Sequence, residues 1–176
     1  MNKITWGKHS YGDIKITETR KGEVVIGKYC SFGIDIKAFM AHDHNMENIS
    51  TYPFGHKGLP ITKLMKPPIP TNYTIKKPFK VTIGNDVWIG SHTVIFGGVT
   101  IGDGAVIGAY SIITKNVKPY AVVVGNNKIL YKRFTNKEIK SLLEIKWWDW
   151  SDEKVAQWGS ILGSTDIKKL ILYGQD

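Results

Sequence analysis

The sequence predicts an all-β fold in which short strands are joined by regular bends into a solenoid. Isoleucine recurs at every sixth residue, at Ile83, Ile89, Ile95, Ile101, Ile107 and Ile113. Glycine follows four of these six isoleucines, and a small or β-branched residue stands four positions after each of them. No helix has a period of six, and one continuous strand through this region would far exceed the usual length of roughly 3 to 10 residues. Short strands separated by bends satisfy both observations.

Residues that tolerate unusual backbone conformations supply the predicted bends. Gly84-Asn85-Asp86 and Gly102-Asp103-Gly104 are such segments, and Gly90 and Gly108 are expected to mark further bends. A fainter stretch with the same six-residue step, Ile26, Phe32 and Ala38, predicts an earlier coil. Cys30 lies in that stretch and is expected to be a packed thiol, and as the single cysteine it excludes an intramolecular disulfide.

The repeat is interrupted by a long insertion, assigned to residues 39–80. The six-residue period vanishes between Ala38 and Ile83, and six of the seven prolines of the chain fall in this interval. Proline cannot donate a backbone hydrogen bond and is confined to sheet edges, turns and loops. We therefore expect a loop that protrudes from the solenoid.

The period changes again after Pro119, and helices are predicted at the C-terminal end. Thr135 followed by Glu138 has the capping-box arrangement, just before an apolar helical face. A last helix is expected at about Asp166 to Tyr173. The sequence thus divides into a β-solenoid domain at 1–134 and a helical extension at 135–176. The tryptophan-rich segment 147–150 is expected to pack the ends of the helices against the solenoid.

Charge and hydropathy narrow the range of partners. The net charge is +9, which permits a polyanionic ligand, but lysines occur in pairs and never in a run of five, so no nucleic-acid partner is expected. No segment approaches the roughly 20 apolar residues of a membrane span, and the N-terminal residues lack the apolar run of a signal peptide. We expect a cytoplasmic protein without a membrane partner.

The repeat resembles the hexapeptide repeat of left-handed parallel β-helices, in which three short strands form one triangular coil. This resemblance implies an all-β, left-handed parallel β-helix with a protruding active-site loop and a C-terminal helical appendage. Because three hexads make a coil of 18 residues, Ile83 should stack on Ile101.

The insertion opens with two histidines, His42 and His44, and histidine is the side chain best suited to proton transfer near neutral pH. The run from His44 through Ser50-Thr51-Tyr52-Pro53-Phe54 resembles the active-site loop of the xenobiotic acetyltransferase branch of hexapeptide acyltransferases, which contains type B chloramphenicol and streptogramin acetyltransferases. The resemblance implies that His44 is the general base, which would deprotonate an acceptor hydroxyl for attack on the thioester of acetyl-CoA. His42, two positions earlier, is the alternative base.

The resemblance also implies that acetyl-CoA is the co-substrate and lies in a groove between subunits of a homotrimer, with no metal. Ser91 and Ala109 stand 18 residues apart and should lie one above the other, and basic side chains would meet the CoA phosphates. The cofactor-binding residues implied in this way are Trp88, Ser91, Ala109, Thr114, Lys115, Lys132 and Arg133. One segment departs from the family pattern: relatives read Gly-Asn-Pro-Ala-Lys where this chain reads Gly125-Asn126-Asn127-Lys128.

The resulting functional prediction is an acetyl-CoA-dependent O-acetyltransferase. The segment His9-Ser10-Tyr11-Gly12 resembles that of relatives that modify sugars or polysaccharides, so a carbohydrate hydroxyl is the expected acceptor, and an antibiotic is the alternative. Two other classes stay open. One is a zinc-dependent carbonic anhydrase that uses His42, His44 and His92, and the other is a scaffold without enzymatic activity.

Overall fold

A computed structural model of the chain describes residues 1–17, 21–40, 44, 47–56, 58–65 and 80–174. Strands dominate up to residue 132, and three α-helices follow. The strands are β1 (Lys3–Thr5), β2 (Ile14–Thr17), β3 (Glu23–Ile26), β4 (Ser31–Phe32), β5 (Ile36–Phe39), β6 (Lys80–Ile83), β7 (Trp88–Ile89), β8 (Val94–Phe96), β9 (Thr100–Ile101), β10 (Val106–Ile107), β11 (Ile112–Ile113), β12 (Ala121–Val124) and β13 (Lys128–Lys132). The helices are α1 (Asn136–Ile145), α2 (Asp152–Leu162) and α3 (Ile167–Tyr173), and short 3-10 helices occur at Pro60–Leu64 and Trp147–Asp149.

The strands form three sheets whose order shows a parallel β-helix. The orders are β1-β3-β6-β9, β13-β12-β10-β7-β4 and β11-β8-β5-β2, and every pairing is parallel except that of β12 with β13. Strands taken in sequence move from sheet to sheet, so three strands complete one coil. Ile83 is registered on Ile101, as the 18-residue period predicts. The coil predicted from Ile26, Phe32 and Ala38 is confirmed, because β3, β4 and β5 pair with β6, β7 and β8.

The isoleucines of the repeat form the interior of the coils. All six are at most 2% exposed, and Cys30 is buried among them. Full burial of one such side chain contributes roughly 1.5 to 3 kcal/mol to stability. A first coil made of β1 and β2 was not predicted; its core contribution is small, since all three residues of β1 are exposed and only Ile14 of β2 is buried.

Gly84 and Gly102, at the bends, are not needed for an unusual backbone conformation, contrary to the prediction. Gly84 and Gly102 do not have a positive φ; the left-handed positions are the third residues of these segments, Asp86 (φ 54°) and Gly104 (φ 67°). A Cβ on Gly84 would lie 2.7 Å from the backbone nitrogen of Asp103, one coil further on. Glycine is therefore required at Gly84 because the next coil approaches closely, and the unusual conformation falls two residues later.

The C-terminal helices follow the sequence prediction. Thr135 caps α1 with both hydrogen bonds of the capping box, and Asp166 caps α3. Trp147 lies against Tyr29 of the β-helix, with ring centroids 4.8 Å apart, and Trp148 is buried. The predicted packing against the β-helix is therefore confirmed for Trp147, whereas Trp150 lies against Trp158 of α2. A second apolar cluster joins the three helices to Tyr120.

The insertion separates β5, which ends at Phe39, from β6, which begins at Lys80. His42 and four of the prolines assigned to the insertion, Pro67, Pro68, Pro70 and Pro78, lie outside the described residues. Within the described parts, no helix is long and apolar enough to cross a membrane.

Candidate active site

His44 is held by a hydrogen bond that determines which ring nitrogen carries the proton. Its Nδ1 lies 2.6 Å from the backbone oxygen of Thr51, and the side chain is exposed. A carbonyl oxygen can only accept a hydrogen bond, so Nδ1 must be the protonated donor nitrogen. In the neutral ring the basic lone pair is then on Nε2, the arrangement that a general base needs.

Hydrogen bonds and a ring contact on both sides of Thr51 hold its backbone in place. The Ser50 hydroxyl accepts a hydrogen bond from the backbone nitrogen of Tyr52, and the Tyr52 and Phe54 rings are in contact at 4.9 Å. The hydroxyl of Thr62, in the 3-10 helix, donates to the backbone oxygen of Phe54 at 2.6 Å. Residues 50–54, at the end of the segment that resembles the family's active-site loop, are thus tied together by hydrogen bonds and ring contacts, and the Thr51 carbonyl is the partner of the predicted base.

Trp88 lies on the outer face of β7. It is registered between Ser31 of β4 and Val106 of β10, and 57% of its surface is exposed.

Ser91 and Ala109 lie one above the other at the corner that follows these strands, as the 18-residue period predicts. Tyr110 donates its backbone N–H to the oxygen of Ser91 at 2.9 Å, which stacks the two coils. The Ser91 hydroxyl accepts from the backbone nitrogen of Ile34 at 3.2 Å. Ala109 is exposed, and its small side chain leaves the backbone of this corner accessible.

Thr114 and Lys115 form the last complete bend of the β-helix, and both are exposed. Their backbone N–H groups are used by Asn127, whose Oδ1 accepts from Thr114 at 2.9 Å and from Lys115 at 3.1 Å. The Lys115 side chain is therefore the charged group that this bend offers to solvent. Sequence reasoning did not identify Asn127, although it did identify the unusual segment that contains it.

The two basic residues after β12 differ in their environment. Lys132, the exposed last residue of β13, donates to the side chain of Asn136 at the start of α1, at 2.7 Å. Arg133 turns toward the β-helix, where its Nη1 donates to the backbone oxygen of Gly104 at 2.8 Å and lies 3.4 Å from Asp86. The guanidinium also lies against the ring of Tyr120, 5.6 Å from its centroid. Arg133 thus joins the coils to the helical extension.

Asp86 is the ion-pair partner of Arg133, and its carboxyl is strongly perturbed by its surroundings. Burial raises the pKa of its carboxyl from 3.8 to about 6, and the charge and hydrogen bond of Arg133 oppose that rise. Its side chain is 28% exposed. The desolvation of the carboxylate therefore outweighs the attraction of the guanidinium.

His92, the third histidine of the zinc alternative, packs at a corner of the β-helix. Its ring stacks on Tyr110 at 4.7 Å, and its Nδ1 lies 3.4 Å from a carboxylate oxygen of Asp35. Among the described residues, no group of three or more histidine, cysteine or acidic side chains is placed to hold a metal ion.

Comparison with known proteins gives consistent matches. A family model described as bacterial transferase hexapeptide (six repeats) matches residues 80–115. The chain is 42% identical over 138 residues to a probable macrolide acetyltransferase of Lysinibacillus sphaericus, a match that covers 76% of this chain and 73% of that protein. It is 39% identical to a chloramphenicol acetyltransferase of Klebsiella aerogenes, over 86% of this chain and 71% of that protein. A galactoside O-acetyltransferase of Escherichia coli (strain K12) is 64% identical, but over only 27% of this chain and 23% of that protein.

The fold also resembles a solved structure. The hexapeptide-repeat acetyltransferase VCA0836 of Vibrio cholerae, complexed with acetyl coenzyme A, aligns with a TM-score of 0.53 at 21% identity, over 76% of this chain and 65% of that one. At this level of identity the match concerns the fold, and it agrees with the parallel coils and three sheets described above.

Proposed function

The chain belongs to the hexapeptide-repeat acetyltransferases, and we propose that it transfers the acetyl group of acetyl-CoA to a hydroxyl group of a small acceptor, with His44 as the general base. The observation that carries the assignment of the base is the hydrogen bond from His44 Nδ1 to the oxygen of Thr51, at 2.6 Å. Because this bond keeps the proton on Nδ1, Nε2 is the nitrogen that accepts a proton in catalysis.

The proposed reaction is a direct transfer. His44 Nε2 takes the proton of the acceptor hydroxyl as its oxygen attacks the carbonyl carbon of the thioester. The tetrahedral adduct collapses, the carbon–sulfur bond breaks, and the CoA sulfur takes the proton back from the imidazolium. The products are the acetyl ester of the acceptor and free CoA thiol, so protons and electrons balance without another reactant.

The proposed site for acetyl-CoA runs along the corner of the coils. Trp88 would flank it, and the small residues Ser91 and Ala109 would let the pantetheine amides reach backbone groups. Lys115 and Lys132 are exposed and available to the phosphates. Arg133 was also predicted to bind phosphate, and its hydrogen bond to Gly104 and ion pair with Asp86 make its proposed role weaker than that of the two lysines.

We further propose a homotrimer of left-handed β-helices in which acetyl-CoA lies between neighbouring subunits. Trp88 is exposed on the sheet face, and Ile49 and Leu64 are exposed on the described parts of the insertion. We expect association of the subunits to cover these apolar side chains. Sedimentation in solution should give about three times the mass of the 19.8 kDa chain.

For the acceptor, we favour an antibiotic hydroxyl over a sugar. Relatives that match more than 70% of their own length are named macrolide and chloramphenicol acetyltransferases, whereas the galactoside enzyme matches over 23% of its length. The segment that suggested a sugar is engaged in packing, because His9 lies 3.0 Å from Asp152 and stacks on Tyr29. A screen of macrolides, chloramphenicol, galactosides and nucleotide sugars for acetyl-CoA consumption decides between them, and turnover of sugars alone would overturn this preference.

Replacing His44 by alanine tests the proposed base. We expect turnover, followed as release of CoA thiol, to fall roughly 10²- to 10⁴-fold, while the affinity for CoA measured by calorimetry is unchanged. The matched control is His56→Ala, another exposed histidine of the insertion, whose Nδ1 accepts a hydrogen bond from the nitrogen of Gly58. Full activity in His44→Ala would refute the assignment.

A further inference from the structure

The side chain of Asn127 closes the last bend of the β-helix. Its Oδ1 accepts from the backbone nitrogens of Thr114 and Lys115, and its Nδ2 donates to the hydroxyl of Thr114 at 2.8 Å. Its Nδ2 also donates to the side-chain oxygen of Asn126 at 2.7 Å. Asn127 has a positive φ of 56°, a conformation that asparagine adopts more readily than most residues.

At the corner that carries Lys28, Asn85 and Asp103, the bends at Lys28 and Asn85 are each closed by a side chain of the coil that follows. The backbone nitrogen of Lys28 donates to the side chain of Asn85 at 2.9 Å, and that of Asn85 donates to Asp103 at 2.7 Å. At Thr114 and Lys115 the segment that follows is the turn at 125–128, which pairs with β11 only through a single bridge between Ile112 and Asn126. Asn127, which lies in a turn and not in a coil, therefore supplies the hydrogen-bond acceptor for the backbone of this bend.

This contact determines how the bend can recognise an anion. Successive backbone N–H groups at a turn form a concave site that attracts phosphate oxygens. Here the N–H groups of Thr114 and Lys115 both point at Asn127 Oδ1, so a phosphate would meet the Lys115 ammonium group instead. Lysine has a long and flexible side chain, and a fixed backbone at its base restricts the volume that its ammonium group samples.

We propose that Asn127 is a positioning residue for the acetyl-CoA donor, which acts by fixing the Thr114–Lys115 bend from which Lys115 reaches a phosphate of CoA. The inference rests on the proposed function and assigns a role to the segment at 125–128, in which this chain departs from its relatives.

Steady-state kinetics with acetyl-CoA and an accepted hydroxyl substrate test this role. In Asn127→Gly, which keeps the positive φ without strain and removes the side chain, we expect the KM for acetyl-CoA to rise roughly three- to tenfold with kcat within about twofold. Lys115→Met should have a similar effect. Because Asn127 acts through Lys115, the double variant should be no worse than Lys115→Met alone. Asn126→Ala, which leaves both backbone contacts of Asn127 in place, is the matched control.

The outcomes separate this inference from the function on which it rests. Absence of CoA binding by the wild-type protein would remove the proposed function. If the wild type binds CoA, an unchanged KM in Asn127→Gly, a fall in kcat alone, or additive effects in the double variant would each overturn the role of Asn127. Should Asn127→Gly fail to fold, the surface variant Lys115→Met still tests the proposal. An unchanged KM for acetyl-CoA in that variant would show that Lys115 does not bind a CoA phosphate, and Asn127 could then not act through it.

Discussion

Replacing Asp86 by asparagine should make the protein more stable than the wild type, and by a margin that grows with pH. The folded state holds the pKa of Asp86 at about 6, above the 3.8 of an unperturbed carboxyl. Between these two pH values the folded chain binds more protons than the unfolded chain, so the wild type loses stability as pH rises through this window. Asparagine resembles the neutral acid in shape, tolerates the positive φ of 54° and does not titrate.

The magnitude follows from the shift. About two pH units at 1.36 kcal/mol each give an upper limit of about 3 kcal/mol, and the 28% exposure of the side chain places the real value below it. The difference in unfolding free energy between Asp86→Asn and the wild type should therefore increase by about 1 to 3 kcal/mol from pH 4 to pH 7. Denaturant unfolding at fixed protein concentration and several pH values measures this difference.

A second aspartate provides a control of opposite sign. The hydrogen bond from Lys8 and that of His9 hold the pKa of Asp152 below its ordinary value. The contribution of Asp152 to stability is thus present at neutral pH and lost as pH falls, so Asp152→Asn should lose its destabilising effect under acidic conditions. A difference between Asp86→Asn and the wild type that stays constant from pH 4 to pH 7 would refute the reasoning about burial.

Two further pairs of substitutions test the packing. Gly104→Ala should strongly destabilise the protein in thermal unfolding, because Gly104 has a φ of 67° and an added Cβ would collide with the Tyr120 ring. The Cβ added by Gly159→Ala in α2 would meet no atom within 4 Å, so this substitution should raise the free energy of unfolding by about 0.5 to 1 kcal/mol. Equal effects of the two would contradict this. Ile101→Ala should lower the unfolding free energy by about 2 to 5 kcal/mol, whereas Leu172→Ala should lower it by less than about 0.5 kcal/mol, because Leu172 is 69% exposed. Comparable losses in denaturant unfolding would show that the isoleucine column does not dominate the core.

The parts of the fold that the sequence predicts best are those with a strict period. A residue that recurs every six positions can face the interior in every strand, and with the three hexads per coil that the resemblance implies, Ile83 is expected to stack on Ile101, as it does. The helix at Thr135 is equally local, since both hydrogen bonds of its capping box lie within four residues. The first coil has one buried isoleucine, Ile14, and its sequence offers no repeated spacing to detect.

The candidate site was only partly predictable, because its decisive contacts join residues that no local rule connects. The residue type and loop position of His44 indicate a base, but the contact with the oxygen of Thr51 depends on how the turn folds. A basic residue after the repeat can face a ligand or the protein, and Arg133 faces Gly104, 29 residues earlier. The role of Gly84 was misread for a similar reason, since its neighbour across the coil is not visible in the local sequence.

The antiparallel strand β13 has a consequence for how far the protein can assemble. A parallel β-helix ends in open strand edges, and such edges can recruit further strands from other molecules. Here β13 pairs with β12 against the direction of the coils, and bridges at Val117 and Asn126 cover the ends of the other two sheets. Because β13 occupies the edge of β12, a second copy cannot continue this sheet as a further parallel coil and would meet an antiparallel outer strand instead.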